Sequence, residues 1–176
     1  MTNASVDNAA DIVIRLATAQ DAERIHALIV GLAKATGLRQ KVTSKPENFL
    51  RHGSGEQPAF QALIAERAGA PLGLSLFFYS FSSWRGEVGV YVQDLFVADE
   101  TRGSGLGRRL IAETVRLAKA RGATWLRLSV GKANTASQEF YRAIGLSESD
   151  DECIYQAVGP AFERLARGPY AKGTGL

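Results

Sequence analysis

Asp94-Leu95-Phe96-Val97-Ala98-Asp99-Glu100-Thr101-Arg102-Gly103-Ser104-Gly105-Leu106-Gly107 is the stretch on which the reading of this chain turns. It begins at the end of a run, residues 88–97, rich in β-branched and aromatic side chains, passes three glycines, and enters an amphipathic helix. Leu106, Leu110, Ile111, Thr114, Val115 and Ala118 share one face of that helix, which Arg121-Gly122 ends. Strand, glycine turn and helix together make an anion site. Glycines let the backbone turn tightly and bring N–H groups to a phosphate, and the helix N-terminus adds partial positive charge. Arg102 offers a forked donor to the same diphosphate. The spacing of Gly103, Gly105 and Gly107 lacks the Gly-Lys-Ser/Thr ending of a nucleoside-triphosphate loop and departs from the dinucleotide fingerprint.

Upstream of this turn, residues 12–16 read as a short strand and Thr18 opens a capping-box helix running to about Thr36, with a shorter helix over 43–52. Residues 60–66 and 72–81 form a hairpin about Arg67-Ala68-Gly69-Ala70-Pro71. Downstream, the pattern predicts a strand over 125–130, a helix capped by Asn134 and closed near Gly145, a last strand over 153–158 and a short helix from Pro160. This order predicts an α/β (α+β) fold with one mixed, mostly antiparallel sheet flanked by helices. The expected organisation is a flexible start over 1–10, a single domain over 11–168 and a flexible end over 169–176.

The chain has 176 residues, 45% of them hydrophobic, enough for one core without disulfides or metal. Its lone cysteine, Cys153, has no partner within the chain and reads as a small core residue. A net charge of +3, with acids dispersed among the bases, argues against a nucleic-acid groove. The absence of a long apolar run argues against a membrane span, and a cytoplasmic protein is expected. His26 and His52 stand apart without metal-ligand spacing, so no metal is expected.

Arg102-Gly103-Ser104-Gly105-Leu106-Gly107 resembles the pyrophosphate motif of the GNAT acetyltransferases, Arg/Gln-x-x-Gly-x-Gly/Ala, in the strand-loop-helix context that motif requires. The segment from Asn134 to Leu146, with Ser137, Tyr141 and Gly145, is similar to the later motif of that family. The aromatic run Phe77-Phe78-Tyr79-Ser80-Phe81-Ser82-Ser83-Trp84 and the stretch Tyr91-Val92-Gln93-Asp94-Leu95-Phe96-Val97 resemble the diamine branch, whose enzymes acetylate spermidine, spermine or thialysine.

This resemblance implies an N-acetyltransferase that moves an acetyl group from acetyl-CoA to a primary amine of a small molecule by direct transfer. The sheet is expected to splay at a β-bulge, where Leu95, Phe96 and Val97 meet the acetyl and pantetheine portions. Arg102, Gly103, Ser104, Gly105, Leu106 and Gly107 would take the diphosphate, and Asn134, Ser137 and Tyr141 the thioester end. Tyr141 is the expected proton donor, because a phenol near pKa 10 stays protonated at neutral pH. Asp94 is the only acid in the bulged strand able to act as base, and alternation alone leaves open a structural role for it. Trp84, Gln93 and Asp94 are the candidate acceptor contacts. A homodimer is implied by the diamine branch. A protein N-terminal or lysine acetyltransferase and a non-catalytic acyl-CoA-binding module are the alternatives.

Overall fold

Five strands pair in sequence order: β1 (Val13–Leu16), β2 (Gln61–Arg67), β3 (Ala70–Ser82), β4 (Glu87–Val97) and β5 (Trp125–Leu128). The first three joints are antiparallel, and β4 and β5 are parallel because helix α3 (Leu106–Ala120) carries the chain across between them. The fold is thus α+β, with a mixed, mostly antiparallel sheet. The computed structural model describes residues 11–149 and 154–167. The chain divides into two compact units, Met1–Glu139 and Phe140–Leu176.

Strand alternation sorts the core into two layers. Ala62, Ile64, Leu74 and Leu76 face α1 (Ala22–Ala35), where they close on Ile25 and Leu28, with Phe49 of α2 (Pro46–Gly53) and Phe96 at the margin. The intervening residues face α3. There Ser75 and Thr114 share a buried hydrogen bond of 2.8 Å, and a Cβ on Gly73 would stand 3.0 Å from Leu110. Gly31 is what lets α1 approach β4, since a Cβ there would meet the Phe96 ring at 2.9 Å.

The β2–β3 turn is a two-residue hairpin with positive φ at Ala68 (47°) and Gly69 (80°), the geometry that matches strand twist. Between β3 and β4 the register shifts: Leu76 faces Asp94 while Phe77 faces Val92, leaving Gln93 as an extra, exposed residue. The expected bulge therefore sits at Gln93. β5 ends at Leu128, earlier than the predicted residue 130, and its pairing with β4 stops at Val92.

An ionic knot ties β1 and α1 to β2. Arg15 reaches Asp21 at 2.8 Å and Glu66 at 3.0 Å, and Arg24 adds 2.9 Å to Glu66. Asp21 also accepts from the Thr18 backbone N–H at 2.8 Å, completing the predicted capping box. Hydrogen bonds from Arg15 hold the Asp21 carboxyl well below the usual carboxylate range, against an opposing push from burial, and they lower Glu66 as well. Because protons then bind the unfolded chain more readily, this knot's stabilisation is present above the ordinary carboxylate pKa of about 4 and drains away as pH falls below it. Asp21→Asn is expected to lower the melting temperature at pH 7 and to flatten its fall toward pH 3. Thermal melts of both proteins across that range check this.

The second unit holds the end of α4 (Thr135–Ala143) and α5 (Pro160–Arg167). The strand expected over 153–158 is not formed over its described part, 154–158, where Ile154, Tyr155 and Val158 are exposed. A run of β-formers makes a strand only when a neighbouring edge pairs with it, and among the described residues no strand pairs with 154–158. Cys153 and both chain ends lie outside the described residues.

Candidate active site

α3 begins with Gly105 as its N-cap in the left-handed region (φ 81°), preceded by Gly103 at φ 77°. Only glycine takes these conformations without strain, and nothing lies within 4 Å of a Cβ built at either, so the turn is an open cradle. The Arg109 N–H bonds back to Gly105 O at 3.1 Å, so helix geometry leaves the N–H groups of Leu106, Gly107 and Arg108 without intrahelical acceptors. Ser104 spends its hydroxyl on Thr101 O at 2.7 Å, which holds the turn's shape. The arrangement suits an anion such as a diphosphate.

The three arginines of this region separate in role. Arg102 is half-exposed and paired with Asp99 at 2.7 Å. Arg109 donates to Ile12 O at 2.8 Å, tying α3 to the residue before β1. Arg108 is exposed on the first turn of α3.

Leu95, Phe96 and Val97 are half-buried on the β3 side of the sheet opening, opposite Ser75, Leu74 and Gly73. Because β5 leaves β4 after Val92, the other backbone edge of residues 93–97 pairs with no strand among the described residues. Asp94 is half-buried opposite Leu76. Burial pushes its carboxyl pKa up, and it has no hydrogen bond or ion pair among the described residues. A partly desolvated, unpaired carboxylate is a better proton acceptor than a fully solvated one.

Without the bulge, Asp94 would share the α3-facing side with Val92. The extra residue returns it to the α1-facing side with Tyr91, which stacks on Phe78 at 5.1 Å. Trp84, by contrast, is fully exposed in the β3–β4 turn, at the opposite end of β4 from Asp94. The structure does not bring Trp84 to the bulge of its own chain.

Asn134 caps α4 by accepting the Ser137 N–H at 3.1 Å. Tyr141 lies on the same helix, within the second unit, its ring edge-on to Phe140 at 5.2 Å and its carbonyl receiving the Leu146 N–H at 3.0 Å. His26 Nε2 is 2.9 Å from Ser44 O and its ring tilts against Phe49, so it packs between α1 and α2.

A cavity of about 110 Å³ opens between the start of α1, α2 and β2, lined by Ala22, Ile25, Phe49, Phe60 and Ala62 among others. It carries no ionisable side chain and sits two strands from Asp94, so it lacks the means for chemistry. Among the described residues no cluster of three or more His, Cys, Asp or Glu side chains forms, and no helix is long and apolar enough to cross a membrane. Trp125 and Arg127 lie beside Gly89 and Tyr91 of β4, a placement that the alternation of residues 125–128 alone does not give.

The chain is 32% identical over 166 residues to a thialysine N-epsilon-acetyltransferase of Bos taurus, covering 88% of this chain and 97% of that relative. It is 27% identical over 146 residues to the human spermidine/spermine N(1)-acetyltransferase-like protein 1, covering 79% of this chain and 21% of that longer protein. In fold it matches an integron cassette protein of V. cholerae, with TM-score 0.76 and 20% identity over 89% of this chain and 98% of that one. It also matches a soil-metagenome aminoglycoside acetyltransferase solved with sisomicin, with TM-score 0.74 and 15% identity over 85% of this chain and 98% of that one. The model of the acetyltransferase (GNAT) family matches residues 15–146, three quarters of the chain with both motifs inside, and the chain therefore belongs to that family as an N-acetyltransferase.

Proposed function

We propose that the protein transfers acetyl from acetyl-CoA to the primary amine of a small, amino-acid-like molecule, both substrates being bound together. The observation that carries this is the open glycine cradle at the start of α3, reached directly along the chain from a bulged strand that bears an unpaired, half-buried carboxylate.

In this reading the cradle from Gly103 to Gly107 takes the diphosphate, and Arg102 exchanges Asp99 for phosphate oxygens. The strandless edge of Leu95, Phe96 and Val97 receives the pantetheine amides as an added strand would be received. Asn134 and Ser137 contribute at the arm's thioester end. The amine nitrogen attacks the thioester carbonyl, the C–S bond breaks, and Tyr141 gives its phenolic proton to the departing sulfur. Asp94 accepts the proton that the amine loses, directly or through water, with Gln93 beside it as an acceptor contact. A lysine-like amine is neutral in only about one part in a thousand at pH 7, which is why a desolvated carboxylate there is useful.

We further propose residues 11–168 as one catalytic domain in a cytoplasmic homodimer. Phe81, Trp84 and Val88 are exposed together about the β3–β4 turn, where a second copy would cover them.

The test is release of free thiol from acetyl-CoA across spermidine, spermine, thialysine, lysine and simple monoamines at one ionic strength, with products identified by mass spectrometry. Amino-acid-like amines are expected to give the highest kcat/KM, because polyamine recognition favours several carboxylates and the bulge presents only Asp94. Spermine leading the panel would overturn the acceptor reading. Tight acetyl-CoA binding without turnover on any amine would favour a non-catalytic module.

A further inference from the structure

Along the α1-facing surface of β4, Asp94 has a helix on one side and two aromatic rings on the other. Phe96, two residues on, shares its face, and α1 lies close over the Phe96 ring where Gly31 leaves room for it. That ring also packs against the core of Ile25, Leu28, Leu74 and Leu76, which closes this direction. In the other direction the bulge makes Tyr91 the next residue of the face. Its ring stacks on Phe78, with centroids 5.1 Å apart and planes 19° from parallel. Both residues are half-buried. The Tyr91 hydroxyl is engaged with Ser129 Oγ at 2.7 Å, so what the pair presents is ring surface.

Asp94 stands opposite Leu76, and Phe78 lies two β3 positions away, about 7 Å along the strand. An extended carbon chain of about five bonds covers that distance. A second acid is not at hand there. Strands β3, β4 and β5 hold no acid besides Asp94 and Glu87. Glu87 pairs with Ser82, six β3 positions from Leu76, or about 20 Å away, and already accepts from Thr124 Oγ1 at 2.6 Å.

Resting on the acetyltransferase reading above, we propose that Phe78 and Tyr91 are specificity-determining residues for the acceptor, their stacked rings holding the carbon chain whose terminal amine lies at Asp94. The acceptor class is a primary amine on an unbranched chain of about four or five carbons, of which the side chain of a lysine-like amino acid is one. An amine borne on a hydroxylated ring would set hydroxyl groups against aromatic faces without partners, and it is disfavoured. Ring faces also attract cations. An exposed cation–π contact changes affinity only about threefold, however, whereas full burial of one methylene changes it about fourfold and a chain brings several. Uncharged methylenes are therefore the better occupants of this surface.

The experiment measures kcat/KM for propylamine, butylamine, pentylamine and hexylamine, and for cadaverine, which replaces the terminal methyl of hexylamine by an ammonium. Wild type is compared with Phe78→Ala, Tyr91→Ala and Tyr91→Phe. Amine basicity scarcely changes from propylamine to hexylamine, so the trend reports contact and not reactivity. Wild type is expected to gain about twofold or more per added methylene, because the rings cover one side of the chain only, and to prefer hexylamine to cadaverine. Phe78→Ala and Tyr91→Ala are expected to flatten the gradient, chiefly through KM. Tyr91→Phe keeps the ring and should keep the gradient. The gradient is internal to each preparation, so a general loss of folding or of acetyl-CoA binding does not imitate it, and the wild-type series stands without any variant. Wild-type turnover with no gain along the series, a preference for cadaverine over hexylamine, or a gradient that neither alanine variant moves would overturn this assignment and leave the acetyltransferase reading standing. Absence of wild-type turnover on every amine, with acetyl-CoA still bound, would overturn both.

Discussion

Tyr141→Phe is expected to keep acetyl-CoA affinity within a few fold and to lower kcat by roughly 10²-fold or more. The substitution removes one oxygen and preserves the ring that meets Phe140 edge-on, so the packing of the helix survives. What is lost is the proton for the leaving thiolate, and a positioned general acid contributes on the order of 10²- to 10⁴-fold. The loss should appear in kcat and kcat/KM together, because the phenol acts in the transition state rather than in binding. Steady-state kinetics across pH, with calorimetry of acetyl-CoA binding, check this. An unchanged kcat at every pH would remove Tyr141 from the mechanism.

Gly105→Glu is expected to weaken acetyl-CoA binding about a hundredfold or more while the protein stays folded, equivalent to about 3 kcal/mol. Two effects act at this position, and they separate experimentally. Gly105 caps α3 at φ 81°, so any side chain there carries the strain of the left-handed region, about 1–3 kcal/mol for a residue other than glycine. A Cβ at Gly105 meets nothing within 4 Å, so no steric clash is added to that strain. Gly105→Ala therefore reports strain alone. Glutamate adds an anion where a diphosphate is to sit, and the repulsion is strong because the charges are close. Isothermal calorimetry of both variants, with thermal melts as the folding control, separates the two. Wild-type affinity in a folded Gly105→Glu protein would show that the cradle is not the phosphate site.

Much of this architecture was legible in local sequence because its causes are local. Hydrophobic periodicity set out α1 and α3, and Arg67-Ala68-Gly69-Ala70-Pro71 announced the hairpin. Asn134 and Thr18 announced caps, which act within three residues of themselves. Glycines before an amphipathic helix announced the open turn at the start of α3, since the positive φ angles at Gly103 and Gly105 are demands that only glycine meets cheaply.

The failures share one cause as well. The segment 153–158 has strand-like composition, yet its described residues pair with no edge, and composition cannot supply a pairing partner. Arg102, Arg108 and Arg109 are neighbours in the sequence, within eight residues of one another. Only the folded chain assigned Arg102 to Asp99 and Arg109 to a carbonyl ninety-seven residues away.

By itself, then, the sequence determined the order of elements as far as α4, the glycine turn and the family, because these rest on backbone preferences and short-range periodicity. The tertiary structure alone decided which side of the sheet each β4 residue serves. The single extra residue at Gln93 turns Asp94 toward Tyr91, and the parallel register of β5 sets Arg127 beside it. Register is a relation between strands distant in the chain, and a slip of one residue exchanges every side chain between faces, so no local reading of β4 or β5 could have revealed that Asp94 and Arg127 share one.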